Sequence, residues 1–74
     1  MFKIGDTVEM ITSDPGWHEL GDRVIIADPM PYGFGRAANG VTDLDGDYWV
    51  DFQDDRKFPI QCKSPMFLKE VEDF

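Results

Sequence analysis

The 74-residue chain contains one cysteine, Cys62, and one histidine, His18, and those scarcities exclude several classes of protein. An intramolecular disulfide framework is impossible, which points to a reducing, intracellular setting. Structural zinc takes four ligands, mostly Cys and His, and the chain has too few. A Cys62–His18 nucleophilic pair would have no oxyanion-hole motif beside it, and a domain this small has little volume for a substrate cleft. P-loop, dinucleotide and nucleophile-elbow motifs are all missing, since Gly33 and Gly35 sit in a proline-rich stretch rather than between a strand and a helix. The expectation is a non-enzymatic protein with no metal and no cofactor.

Long apolar runs are missing too. The opening Met1-Phe2-Lys3-Ile4-Gly5-Asp6 lacks the basic start and apolar stretch of a secretory signal, and no segment approaches the length of a membrane span. A soluble, cytoplasmic protein is expected. Basic residues are few: seven Lys and Arg stand against fifteen Asp and Glu, giving a formal net charge of −8. A field of that sign opposes attraction to phosphate backbones and anionic lipid, so direct nucleic-acid or membrane binding is disfavoured. The same field attracts basic surfaces, including the grooves with which other proteins hold DNA or RNA.

What the chain does contain is enough for one small core. The apolar fraction is 42% and the aromatic fraction 14%. A domain of this length buries only about 60% of the surface its unfolded chain exposes, so large side chains such as Phe2, Phe52, Phe58 and Phe67 are economical fillers. No repeat or linker divides the sequence, and residues 1–74 are read as a single domain.

Period-two spacing predicts five short strands. Thr7–Ile11 alternates with Val8 and Met10 on one face, and Arg23–Ala27 is β-branched and bounded by breakers. Ser13-Asp14-Pro15-Gly16 is a turn between them. Residues 28–40 contain Pro29, Pro31, Gly33, Gly35 and Gly40, a density that predicts a long exposed loop. Val41–Asp43 and Tyr48–Phe52 flank an Asp-Gly pair and predict a hairpin, with Tyr48, Val50 and Phe52 facing one way and Trp49 outward beside Asp51. A turn at Asp54-Asp55-Arg56 leads to a fourth strand at Lys57–Ile60. Ser64 caps a one-turn 3₁₀ segment beginning at Pro65, and Lys69–Val71 closes the sheet.

Phe2-Lys3-Ile4-Gly5-Asp6-Thr7-Val8, Gly21-Asp22-Arg23-Val24 and Tyr48-Trp49-Val50-Asp51-Phe52, followed by a terse last strand, give the chain a pattern that resembles the SH3-like barrel modules of the KOW and Tudor type. The resemblance implies an all-β fold, a small five-stranded barrel with one long loop and a short 3₁₀ turn near the C-terminus. It also implies a recognition module and leaves open RNA, DNA, ribosomes, methylated side chains or proline-rich segments as ligand. The acidic charge departs from KOW-type nucleic-acid binders, which tend to be basic.

Two features stand out as candidate contacts. The loop tip carries Tyr32, Phe34 and Arg36, and Trp49 is expected to lie outward on its strand. The acidic stretch carries Asp43, Asp45, Asp47, Asp51, Asp54 and Asp55. The carboxylates from Asp43 to Asp54 fall in the register of a calcium loop, but Tyr48 stands where that loop needs glycine, and Asp54 replaces its bidentate Glu. A solvated acidic hairpin explains the same aspartates. Carboxylates on a rigid β-surface can also imitate phosphates and occupy a basic channel of a partner protein. In size and charge the chain is similar to small phage-type inhibitors and anti-CRISPR proteins. An inhibitor of that kind, a KOW- or Tudor-like module binding nucleic acid or peptide directly, and a subunit of a larger complex are the three functional expectations.

Overall fold

The computed structural model describes residues 1–71. Five antiparallel strands form one sheet: β1 (Thr7–Met10), β2 (Arg23–Ala27), β3 (Tyr48–Asp51), β4 (Ile60–Lys63) and β5 (Leu68–Glu70), in the order β4-β3-β2-β1-β5. The all-β expectation holds. Among the described residues β4 and β5 do not pair, so hydrogen bonds do not close the sheet into the expected barrel. No helix is long and apolar enough to cross a membrane among these residues.

Alternation sets the buried face. Val8, Met10, Val24, Ile26, Tyr48 and Val50 point inward from β1, β2 and β3, joined by Phe52 and Leu68. Phe2, Val41 and Phe67 pack against this cluster from outside the strands. Register keeps the two faces separate, because Ala27, Trp49 and Cys62 form one outward row and Ile25, Asp51 and Ile60 another.

One predicted strand and one predicted hairpin flank are corrected. The fourth runs from Ile60 to Lys63 rather than over 57–60, and Phe58 lies exposed in the turn that precedes it. Pro59 has no N–H for the ladder, and its carbonyl instead accepts from Phe52 N at 2.8 Å, closing the turn. β4 also inverts the usual pattern, burying Gln61 and Lys63 while Ile60 and Cys62 face outward.

Val41–Asp43 forms no strand. Asn39 Oδ1 accepts from Val41 N at 2.8 Å and Thr42 N at 3.0 Å, and Asp43 N donates to Asp47 O at 2.9 Å. Residues 37–47 are consecutive turns whose backbone is satisfied locally rather than by a partner strand.

The long connection after β2 is mostly irregular, as expected, with a single 3₁₀ turn at Met30–Tyr32 that Gly33 ends at φ 88°. The second 3₁₀ turn, Pro65–Phe67, is capped by Ser64 as its sequence predicts. Asp14 N donates to His18 O at 2.9 Å and tightens the 13–18 turn, which carries His18 inward to 4% exposure.

Candidate functional site

Trp49 faces outward from β3, as alternation requires. Its row-mate on β2 is Ala27, small enough to leave space over the sheet. Into that space the loop after β2 lays two rings: Phe34 stacks on the indole at 4.3 Å between centroids and Tyr32 at 6.1 Å. The loop is held in place at its base, where Asp28 accepts from Met30 N at 3.0 Å and pairs with Arg36. Those two interactions, the backbone N–H first, hold the Asp28 carboxyl below its ordinary pKa. Tyr32 and Phe34 remain about half exposed, and Met30 and Leu44 are exposed apolar side chains of the same connection. The structure therefore brings Tyr32, Phe34 and Trp49 together, while Arg36 is engaged in fastening the loop.

Asp43 corrects the expectation of an outward acidic row. It is 8% exposed and accepts four hydrogen bonds. Its Oδ1 takes Asp45 N at 3.0 Å and Asp47 N at 3.1 Å, and its Oδ2 takes Trp49 Nε1 at 3.2 Å and the Cys62 thiol at 3.4 Å. Burial works to raise its pKa, but the hydrogen bonds from Asp47, Cys62, Asp45 and Trp49 together outweigh it and hold the carboxyl down. Gly46, at φ 84°, completes the turn. Asp45 is exposed and Asp47 partly so, which leaves those two free for contact.

One oxygen each of Asp43 and Asp47 and the Cys62 sulfur lie within 4.8 Å of one another, a spacing that suits a metal ion. The donor set does not. Both Asp43 oxygens are committed to protein donors, and the thiol is pushed up to about 12, by desolvation first and then by Asp43. The wider calcium register is also dispersed, because β3 carries Asp51 to its far end, about 10–13 Å beyond the turn, and Asp54 lies in the connection that follows.

Those later acidic residues belong to a second cluster. Asp51 Oδ1 accepts from Gln53 N at 2.8 Å, and Asp54 is bound by Arg56 through Nε at 2.8 Å and Nη2 at 2.7 Å. Asp55 is exposed and has no ion-pair partner among the described residues. Arg56 reaches across to the 13–22 loop, donating to Trp17 O at 3.0 Å and Asp22 at 3.4 Å, with its guanidinium 3.8 Å above the Phe52 ring. Trp17 stacks on Phe58 at 5.1 Å. A tryptophan is as often a core or groove-lining residue as a contact, so the sequence alone assigns Trp17 to neither, and it gives Arg56 and Phe58 no part in a site. Nothing in the local pattern tells that residues 17 and 56 meet.

The chain matches no protein-family model, no curated protein and no solved structure.

Proposed function

We propose that the chain is a non-enzymatic binding protein, an acidic inhibitor of the phage type that occupies a basic, nucleic-acid-binding site on a partner protein. The observation that carries this reading is the stack of half-exposed Tyr32 and Phe34 on a partly exposed Trp49, beside the Asp45–Asp47 turn, on a chain of net charge −8. Carboxylates steer a basic partner from a distance, and rigid aromatics supply area at short range with little entropy to lose. Asp43 supports the surface from beneath rather than touching the partner.

The scaffold is proposed to be an SH3-like roll. A flat single sheet cannot exclude water from one face, yet Val8 and Val50 are fully buried with no helical layer present among the described residues. Curling of the sheet over its own inner face, with loops plugging the open side between β4 and β5, accounts for that burial.

A capture experiment from cell extract, run at about 50 mM and about 500 mM salt, tests the reading. The expected partner is a nucleic-acid-binding protein whose capture falls steeply at the higher salt and is competed by duplex DNA or RNA. The triple variant D45K/D47K/D51K is expected to lose capture mainly through slower association, and Trp49→Ala through faster dissociation. Retention of labelled DNA or RNA by the protein alone in a low-salt gel shift would instead establish the KOW- or Tudor-like alternative.

A further inference from the structure

The cleft between the 15–22 loop and the 54–56 turn is the second place where aromatic surface and carboxylates meet. It has a volume of about 490 Å³ and is lined by Trp17, Glu19, Asp22, Asp54, Asp55 and Arg56, among others. Four carboxylates face one guanidinium. Arg56 spends its donors internally, on Asp54, Asp22 and the Trp17 carbonyl, which leaves no N–H for an incoming anion. Glu19 and Asp55, by contrast, have no cationic partner among the described residues. Trp17 is 46% exposed although one side of its indole meets Phe58. Its carbonyl is clamped by both Arg56 Nη1 and Gln61 Nε2, at 3.0 and 2.9 Å, so the loop that presents it is fixed in advance. His18 lines the same cleft, 4% exposed, and its Nδ1 has no hydrogen-bond partner. In the tautomer whose Nε2–H donates to Thr12 Oγ1, at 3.4 Å, Nδ1 is an acceptor, which suits a donor-rich ligand and not a carboxylate.

We propose that this cleft seats an arginine side chain of the partner protein, with the guanidinium against the Trp17 indole and its N–H groups on Glu19 and Asp55. The inference rests on the reading of the chain as a binder of basic surfaces and adds where one of the partner's cations is held. Arginine is favoured over lysine because a planar, weakly hydrated fork both stacks on an indole and bonds to two carboxylates. Arg56 already shows a guanidinium in that manner of binding, over Phe52 and between Asp22 and Asp54.

The test is a two-dimensional ¹⁵N–¹H titration with N-acetyl-arginine methylamide, its lysine counterpart and its neutral glutamine counterpart. The expected result is saturable movement of the Trp17 indole signal and the amides of residues 54–56, with arginine binding about threefold or more tighter than lysine and glutamine inert. The double variant E19Q/D55N, whose spectrum reports whether it is folded, is expected to weaken arginine binding about threefold or more while leaving the Trp49 indole signal in place. Movement centred on Trp49, Asp45 and Asp47 would overturn the cleft as the arginine seat and leave the wider reading intact. Absence of saturable shifts with any of the three would overturn it equally. Loss of salt-sensitive capture in the extract experiment, with the titration still positive, would sink the wider reading alone.

Discussion

Trp49 and Cys62 face each other across β3 and β4 and share one acceptor, the Oδ2 of Asp43, at 3.2 and 3.4 Å. A carboxylate that orders the turn before β3 therefore also fixes the indole proposed to meet a partner. Asp43→Ala leaves two backbone N–H groups, an indole and a thiol without their acceptor, and is expected to destabilise the fold by about 2–4 kcal/mol in urea unfolding. A loss below about 0.5 kcal/mol would show that water replaces the carboxylate at no cost.

The same contact sets the chemistry of Cys62, which is exposed yet held as a neutral thiol. Alkylation by iodoacetamide at pH 8 is expected to be at least about tenfold slower than for a free cysteine, and faster in Asp43→Asn, because the thiolate is the nucleophile. The sign for stability follows from the raised value. The unfolded thiol loses its proton near 9.0 and the folded one near about 12, so the contribution is whole below 9.0 and is lost as pH rises toward 12. Cys62→Ser is expected to flatten that alkaline decline in thermal unfolding.

His18 behaves in the opposite pH range. Burial first, then the nearby Lys63 charge, lowers its pKa below 6.5, and Asp14 and Asp22 offset this only in part. Between the folded value and 6.5 the unfolded chain binds a proton that the folded one refuses, so stability falls as pH drops through that window. The decline should begin above the range in which Asp28, Asp43 and Asp54, whose values are lowered, start to be protonated. Thermal unfolding between pH 7 and 5 is expected to show the decline in the natural sequence and a shallower one in His18→Gln. Parallel curves would remove His18 as its source.

Arg56 ties two loops that are far apart in the chain. Its partners Asp22, Trp17 O, Asp54 and the Phe52 ring span both sides of the cleft, and Asp54 first among them raises its pKa. The side chain is partly exposed, which screens the ion pairs, so Arg56→Ala is expected to cost about 1–3 kcal/mol. Arg56→Lys retains the charge but not the fork, and should recover less than half of that loss. Equal stability of the lysine variant and the natural sequence in urea would show that charge alone suffices.

The strands easiest to read in the sequence are those whose inward positions are all apolar. Val8 and Met10, Val24 and Ile26, and Tyr48 and Val50 alternate cleanly, and β1, β2 and β3 fall within a residue of where alternation puts them. β4 escapes for a physical reason: Gln61 and Lys63 point inward, so a search for buried apolar alternation settles on Phe58 and Ile60 instead. Val41–Asp43 is misread because hairpin chemistry at Asp45-Gly46 predicts a turn but not which residues flank it as strands. The Tyr32–Trp49–Phe34 stack was half legible, since an outward Trp and an aromatic loop were visible but their meeting was not. The Trp17–Arg56 contact spans 39 residues and has no local signature at all.

The inward lysine of β4 raises a question of why it is there. Lys63 is 8% exposed, burial lowers its pKa, and no carboxylate lies within ion-pair distance of it among the described residues. By its energy alone the residue is a cost, and Lys63→Met, of similar length and without the charge to desolvate, is expected to raise stability by about 1 kcal/mol. Yet β4 is an edge of the sheet, and among the described residues one edge of its backbone has no partner strand. A charge pointing inward from an edge strand resists pairing with a second chain, since a neighbouring strand would have to bury it further. The same variant is therefore expected to be more stable in dilute urea unfolding and more prone to self-association in sedimentation at high concentration. A variant that gains stability and stays monomeric would show that Lys63 guards nothing, and one that loses stability would show that the ammonium finds water or a polar group through the gap beside β4.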